Sequence, residues 1–249
     1  MTDTLLNHRT IRKYTADPIP SQIMEYILEA GIRAANTGNM QVYSIIATTE
    51  QSIKEELAPC HFNQPMIAQA PVVLTFCADF NRFNKWCRLR NAEPGYDNFL
   101  SFMTAAIDAL LVAQNVCVAA EDAGLGTCYL GTTTYMAGKI IDVLDLPAGV
   151  VPVTTLTVGY PDESPEPCDR LPLEAVVHQE KYVDYTNTDI DNHYREKELI
   201  TTYQDFVKEN KKETLAQVFT DVRYKKGDNV LFSKSLIDIL EKQGFMNHQ

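Results

Sequence analysis

The chain is short of positive charge. Its 22 Lys and Arg face 33 Asp and Glu, leaving a formal net charge of -11 at pH 7 over 249 residues. No basic stripe offsets that balance, which argues against a nucleic-acid binder. Short basic pairs such as Lys211-Lys212 and Lys225-Lys226 sit among acids and read as solvated surface. A glycine-rich phosphate loop is also missing. No Gly-x-Gly-x-x-Gly turn follows the first strand, against a dinucleotide-binding doubly wound sheet. The six cysteines, at 60, 77, 87, 117, 128 and 168, include no Cys-x-x-Cys pair and no histidine at metal-ligand spacing, so no metal site is expected. Cys77, Cys117 and Cys128 fall in apolar runs, where cysteine acts as a small buried hydrophobe. The first residues lack the apolar core of a signal peptide, and no run of about 18 apolar residues reads as a membrane span. Repeats and low-complexity tracts are absent. These absences together point to a reduced, cytoplasmic globular protein, long enough for a sizeable core.

What is present begins with His8-Arg9-Thr10-Ile11-Arg12, a cluster suited to gripping a phosphate by charge-assisted hydrogen bonds, or equally to a solvated basic turn. Apolar residues Ile23, Met24, Ile27, Leu28 and Ile32 then recur at helical spacing, giving a helix over about 21–34. The turn-rich loop Asn36-Thr37-Gly38-Asn39 leads into a strand over Gln41–Thr48 and a short helix over Glu50–Leu57. Pro71–Ala78 is almost continuously apolar, the pattern of a strand buried on both faces. Asn81–Asn98 reads as helix and loop, and Phe99–Ala123 as a long helix apolar nearly all round, hence central and buried. Gly124-Leu125-Gly126 ends it, a strand follows over Thr127–Gly131, a helix over about 136–144, and a strand over Val151–Gly159. Prolines 161, 165, 167 and 172 make an extended loop, and beyond about residue 180 the chain turns polar, Tyr-rich and helical. The fold class is α+β: a mostly antiparallel sheet of about four or five strands flanked by helices. Residues 1–180 form its core, and residues 181–249 a helical C-terminal extension that packs on the core or on a partner subunit.

Six segments in order resemble the nitroreductase family, specifically its NADPH-dependent flavin reductases and major oxygen-insensitive nitroreductases. They are His8–Tyr14, Arg33–Gln41, Gln64–Pro71, Phe76–Arg82, Gly124–Gly131, and Val158–Pro161 followed by Arg170-Leu171-Pro172. The resemblance implies a tightly bound FMN, with NADPH or NADH as co-substrate. It implies that His8, Arg9 and Thr10, with Arg170, meet the phosphate, while Arg12 lies by the pyrimidine edge and stabilises charge on the reduced ring. Thr37, Gly38, Asn39 and Gln41 match a loop that reaches the cofactor across a homodimer interface, and Gln64 matches a residue bonded to the ring edge. Tyr129, Leu130, Gly131 and Thr132 match the turn whose main chain faces flavin N5 and O4. No side chain need be catalytic, because hydride passes through N5. Two departures stand out: Cys168 occupies a place usually held by a cation, and the region Glu198–Lys212 offers Lys208, Lys211 and Lys212 but no arginine for a 2′-phosphate.

The expected activity is two-electron transfer from NAD(P)H to nitroaromatics, quinones or free flavin by a ping-pong hydride mechanism, without nucleic-acid or membrane partners. The alternatives are a relative with different chemistry (reductive dehalogenation or flavin fragmentation), a flavin-storage protein with little turnover, and an acidic scaffold without cofactor.

Overall fold

The computed structural model describes residues 2–248; Met1 and Gln249 lie outside the described residues. The chain divides into two compact units, Met1–Pro167 with Phe232–Gln249, and Cys168–Leu231. The division therefore falls before residue 180, and the last residues belong with the first unit.

The first unit contains strands β1 (Tyr43–Thr48), β2 (Val72–Asp79), β3 (Gly126–Leu130) and β4 (Val150–Gly159). Its helices are α1 (Thr2–Leu6), α2 (Ser21–Ile32), α3 (Gln51–Leu57), α4 (Pro65–Gln69), α5 (Asn81–Leu89), α6 (Phe99–Asp122) and α7 (Ala137–Val143). The second unit holds α8 (Asn187–Leu199), α9 (Thr201–Glu209) and α10 (Leu215–Val218), and α11 (Lys226–Lys242) runs from the second unit into the first. The described strands pair antiparallel throughout, in the order β1-β2-β4-β3. The first strand starts two residues later than its sequence pattern, because Gln41 takes a left-handed φ of 53° that breaks extended pairing.

Both faces of the sheet are covered, which explains the unbroken apolar run of β2. Leu74 and Phe76 enter a core shared with Ile27 of α2 and Ala109, Val112 and Val116 of α6. Val73 enters an opposite core with Leu57, Ile67 and Ile140 from α3, α4 and α7. Alternation along a strand thus feeds two apolar layers instead of one layer and water. A third cluster joins Phe102 of α6 to Leu240 and Phe245, with the two phenyl rings 5.8 Å apart. That burial draws the C-terminal residues into the first unit.

The central helix α6 starts at Asn98, whose side chain accepts from the Ser101 N–H, a cap contributing about 1 kcal/mol. Ala105, Ala109, Ala113 and Ala120 let α2 and the sheet approach closely. On the opposite face Leu100, Met103, Ile107, Leu110 and Leu111 are exposed among the described residues. By length and mean hydropathy α6 could cross a bilayer, so the expectation of no such run is corrected. Its more buried half lies in the core of the unit, the placement that gives a globular core helix this composition.

Within the second unit, α8 opens with a reciprocal capping box between Thr186 and Asp189. Asp169 accepts from Lys197 Nζ at 2.7 Å and from the Tyr203 hydroxyl at 2.6 Å, which hold its carboxyl below the usual range against the opposing effect of burial. The Arg223 guanidinium lies 4.4 Å from the Phe206 ring centroid, a cation–π contact.

Candidate functional site

The segment His8–Tyr14 lies across the sheet where two glycines pair, Gly126 of β3 with Gly159 of β4. A Cβ on Gly126 would stand 2.7 Å from Ile11 Cβ, and one on Gly159 would stand 2.8 Å from Tyr14 Cδ1, so only bare main chain admits the segment. The Ile11 N–H donates to the Thr127 carbonyl at 2.8 Å, and Thr10 bridges Thr127, covering the open edge of β3. The Tyr14 hydroxyl is fastened inside, bonded to the Ile11 carbonyl at 2.6 Å and to Thr157 Oγ1 at 2.8 Å. Burial pushes its pKa up, so it stays a neutral donor.

This anchoring sets the cations at the start of β3. His8 Nδ1 meets Glu121 Oε1 at 2.7 Å, and Arg9 donates to Ser164 Oγ at 3.1 Å. The Glu163 carboxylate accepts from the main-chain N–H groups of Arg12 and Lys13. The Arg12 side chain is exposed and has no hydrogen-bond partner among the described residues. Arg9, Ile11, Glu121, Gly126, Glu163 and Ser164 line part of a cleft of about 310 Å³. His8, Cys117 and Glu121 bring donor atoms within 4.8 Å of one another, a spacing a metal could use. Burial raises the Cys117 thiol to about 12, however, and its sulfur shares hydrogen bonds with Thr127 and Glu121, so the cluster satisfies itself.

The other end of β3 carries the turn Gly131-Thr132. The Tyr129 side chain packs on the core shared with α2 and α6, and Leu130 is buried on the opposite face, so at Leu130 a ligand would meet main chain only. A Cβ on Gly131 would meet nothing within 4 Å. Thr132 Oγ1 lies 2.8 Å from Nδ1 of His61, a fully buried histidine whose pKa burial lowers to about 4. The half-buried Gln64 stands at the start of α4 and donates its main-chain N–H to the His61 carbonyl at 3.1 Å. One histidine therefore joins two expected ligand segments, Gln64 and Gly131-Thr132.

The remaining candidates lie elsewhere. Thr37, Gly38 and Asn39 form an exposed turn that the Thr37 N–H ties to the buried Asp108 carboxylate of α6 at 2.9 Å. Gly38, Asn39 and Gln41 all adopt left-handed φ angles, and the Gln41 carbonyl accepts from the Arg82 guanidinium. No described contact joins this loop to His8–Arg12 or to Gly131. Arg170 belongs to the second unit, where its guanidinium donates to the carbonyls of Cys168 and Asp169. In the same unit Lys208 and Lys212 are paired with Asp205 and Asp221.

Four side chains that support the candidates carry no recognisable sequence signal as a set: Glu121, Glu163, Asp108 and His61. The one available clue was His61 itself, a lone imidazole three residues before Gln64.

Residues 5–160 match the model of the nitroreductase family. The crystal structure of a Bacteroides fragilis protein superposes with a TM-score of 0.97 at 56% identity, covering 98% of this chain and 100% of that one. An NADPH-flavin oxidoreductase of Vibrio harveyi is 34% identical over 191 residues, 77% of this chain and 78% of its own length. An FMN reductase (NADPH) of Bacillus subtilis is 34% identical over 189 residues, 75% of each chain.

Proposed function

The chain belongs to the nitroreductase family, and from that premise we propose that it is an FMN-dependent oxidoreductase passing two electrons from NADPH or NADH to a planar acceptor such as a nitroaromatic, a quinone or free flavin. The observation carrying this reading is the layout along β3. Cations gather at its start, and an open glycine turn beside Gln64 stands at its end. Four residue steps separate Thr127 from Gly131, about 13 Å at strand rise, which suits one elongated ligand with an anionic end and a hydrogen-bonding ring.

The residues fit FMN on two counts. Gly131 leaves open the space its Cβ would occupy, so main chain can approach a flat ring. The unpaired Arg12 guanidinium and the Ser164-held Arg9 supply positive charge in an otherwise acidic molecule. His8 is oriented through Nδ1 by Glu121, which leaves Nε2 to bind a phosphate oxygen with Arg9 and Thr10. Arg12 stabilises negative charge at the ring edge, and Gln64 supplies an amide for the ring's polar rim. When bound, FMN supplies hydride chemistry that no side chain here could perform. The protein contributes position, charge and the exclusion of water, and the nucleotide and the acceptor use the site in turn.

A homodimer completes the site in this reading. The exposed stripe Leu100, Met103, Ile107, Leu110 and Leu111 on α6 is the kind of surface a second copy covers. The Thr37–Gln41 loop is tied to Asp108 on the same helix and so projects beside that stripe, where it would serve the partner's cofactor.

The test is the visible spectrum of the purified protein before and after anaerobic addition of NADPH, with NADH in parallel. Flavin bands near about 370 and 450 nm that bleach promptly support the reading and rank the nucleotides. Flavin that neither nucleotide bleaches turns the reading toward storage, and failure to take up FMN on reconstitution overturns it.

A further inference from the structure

His61 is fully buried, yet only one of its ring nitrogens has a partner. Nδ1 lies 2.8 Å from Thr132 Oγ1, while Nε2 is buried with no hydrogen-bond partner among the described residues. Two arrangements satisfy that contact. If Thr132 donated its proton to Nδ1, the ring would bury an orphan Nε2–H. If Nδ1–H donates to Thr132, the buried Nε2 is an unused lone pair. Orphan buried donors are the rarer of the two, so the second arrangement is favoured. Burial lowers the His61 pKa to about 4, so the ring stays neutral near pH 7. The Thr132 oxygen then accepts from His61, and its own proton is turned away from the core.

The neighbouring hydroxyl of the turn is already committed. Thr133 is buried, and its Oγ1 donates to the Leu130 carbonyl at 2.9 Å and can accept from the Thr155 hydroxyl, whose Oγ1 lies 3.0 Å away. Thr132, half-buried beside the exposed Gly131, is the turn hydroxyl that His61 orients, and its own proton remains available to a ligand. An aromatic bridge holds the same two loops. Tyr135 stacks on Phe232 at 4.5 Å and 5°, and Phe232 lies 6.2 Å from Phe62, the residue after His61.

We propose that His61 is a positioning residue of the flavin site, fixing the Thr132 hydroxyl through Nδ1–H so that Thr132 O–H donates to the polar rim of the bound ring. The proposal rests on the FMN reading above. It distinguishes this chain's turn from one whose main chain alone meets the cofactor.

The experiment is a fluorescence titration of apoprotein with FMN, together with the visible spectrum and flavin reduction potential of the reconstituted forms. It uses the wild type, His61→Leu, His61→Asn, Thr132→Val and the Leu/Val double variant. His61→Leu and Thr132→Val each weaken FMN binding roughly tenfold, the loss of one buried hydrogen bond. The double variant is no weaker than either single, because both break one relay. His61→Asn, whose amide N–H stands in for Nδ1–H, returns affinity and potential to near wild type; a merely structural gap would show no such rescue. Wild-type affinity, spectrum and potential in both single variants overturn the proposal, as does full additivity in the double. Should His61→Leu fail to fold, Thr132→Val and His61→Asn decide by the same criteria. A wild type that takes up no FMN fails differently: it removes the cofactor reading itself, and this proposal with it.

Discussion

Substituting Gly126 by Ala probes how the His8–Tyr14 segment, proposed to hold the FMN phosphate, is seated. The new Cβ would stand 2.7 Å from both Cβ and Cγ1 of Ile11, more than half an ångström inside an ordinary carbon contact. Ile11 Cβ cannot swing aside, since it is bonded to the main chain, so the whole segment must lift. Overpacking of this kind costs about 1–3 kcal/mol. Lifting also stretches the bond from Ile11 N–H to the Thr127 carbonyl, worth about 1 kcal/mol net. The sum is about 2–4 kcal/mol, which for a chain of this size lowers Tm by about 5–15 °C. The same movement shifts His8, Arg9 and Arg12, so FMN affinity falls with stability. Thermal unfolding of the apoprotein and FMN titration at a temperature where the variant is folded read the two effects. Unchanged Tm together with unchanged affinity would refute the idea that the glycine pair seats the segment.

Three other outcomes are expected. His61 has a folded pKa near 4 against 6.5 in the unfolded chain, so between those values only the unfolded state binds the proton. Its stabilising contribution is complete above pH 6.5 and falls by about 2 kcal/mol on going to pH 5, and by about 3 kcal/mol in all. Urea unfolding at pH 7 and pH 5 should show this slope in the wild type and a shallower one in His61→Asn; identical slopes count against it. Leu110→Glu sets a carboxylate in the exposed α6 stripe and, if the proposed homodimer forms there, should dissociate it, read by sedimentation, with loss of FMN as the Thr37–Gln41 loop leaves the partner's proposed site. A dimer that persists with full cofactor would place the interface elsewhere. Arg12→Ala removes an exposed guanidinium with no hydrogen-bond partner among the described residues, so Tm should stay within about 1 °C while flavin affinity or reduction rate falls; unchanged flavin kinetics would remove Arg12 from the proposed site.

Periodicity alone determined most of the elements of the first unit. The apolar run of β2, the long α6 and the helical spacing of α2 each read correctly because their burial is set by local pattern. The short elements were less legible: α1 and α4, five residues each, have too few turns to show a period. The ordered motifs around His8, Gln64 and Gly131 were also visible in one dimension, and with them the family. What sequence could not supply were the partners those motifs acquire across distance. His8 meets Glu121 at a separation of 113 residues, Arg12 and Lys13 meet Glu163 about 150 residues away, and His61 meets Thr132 at 71. Such pairs have no spacing rule, because they depend on which strand lies beside which. The same holds for the glycine pair Gly126 and Gly159, an unremarkable couple in the sequence until the β3–β4 register sets them side by side. Likewise Phe245 and Leu240 return to the first unit only because α6 offers them a buried face. Local chemistry thus determined which segments are proposed to touch a flavin, while sheet register and helix packing decided how each is held.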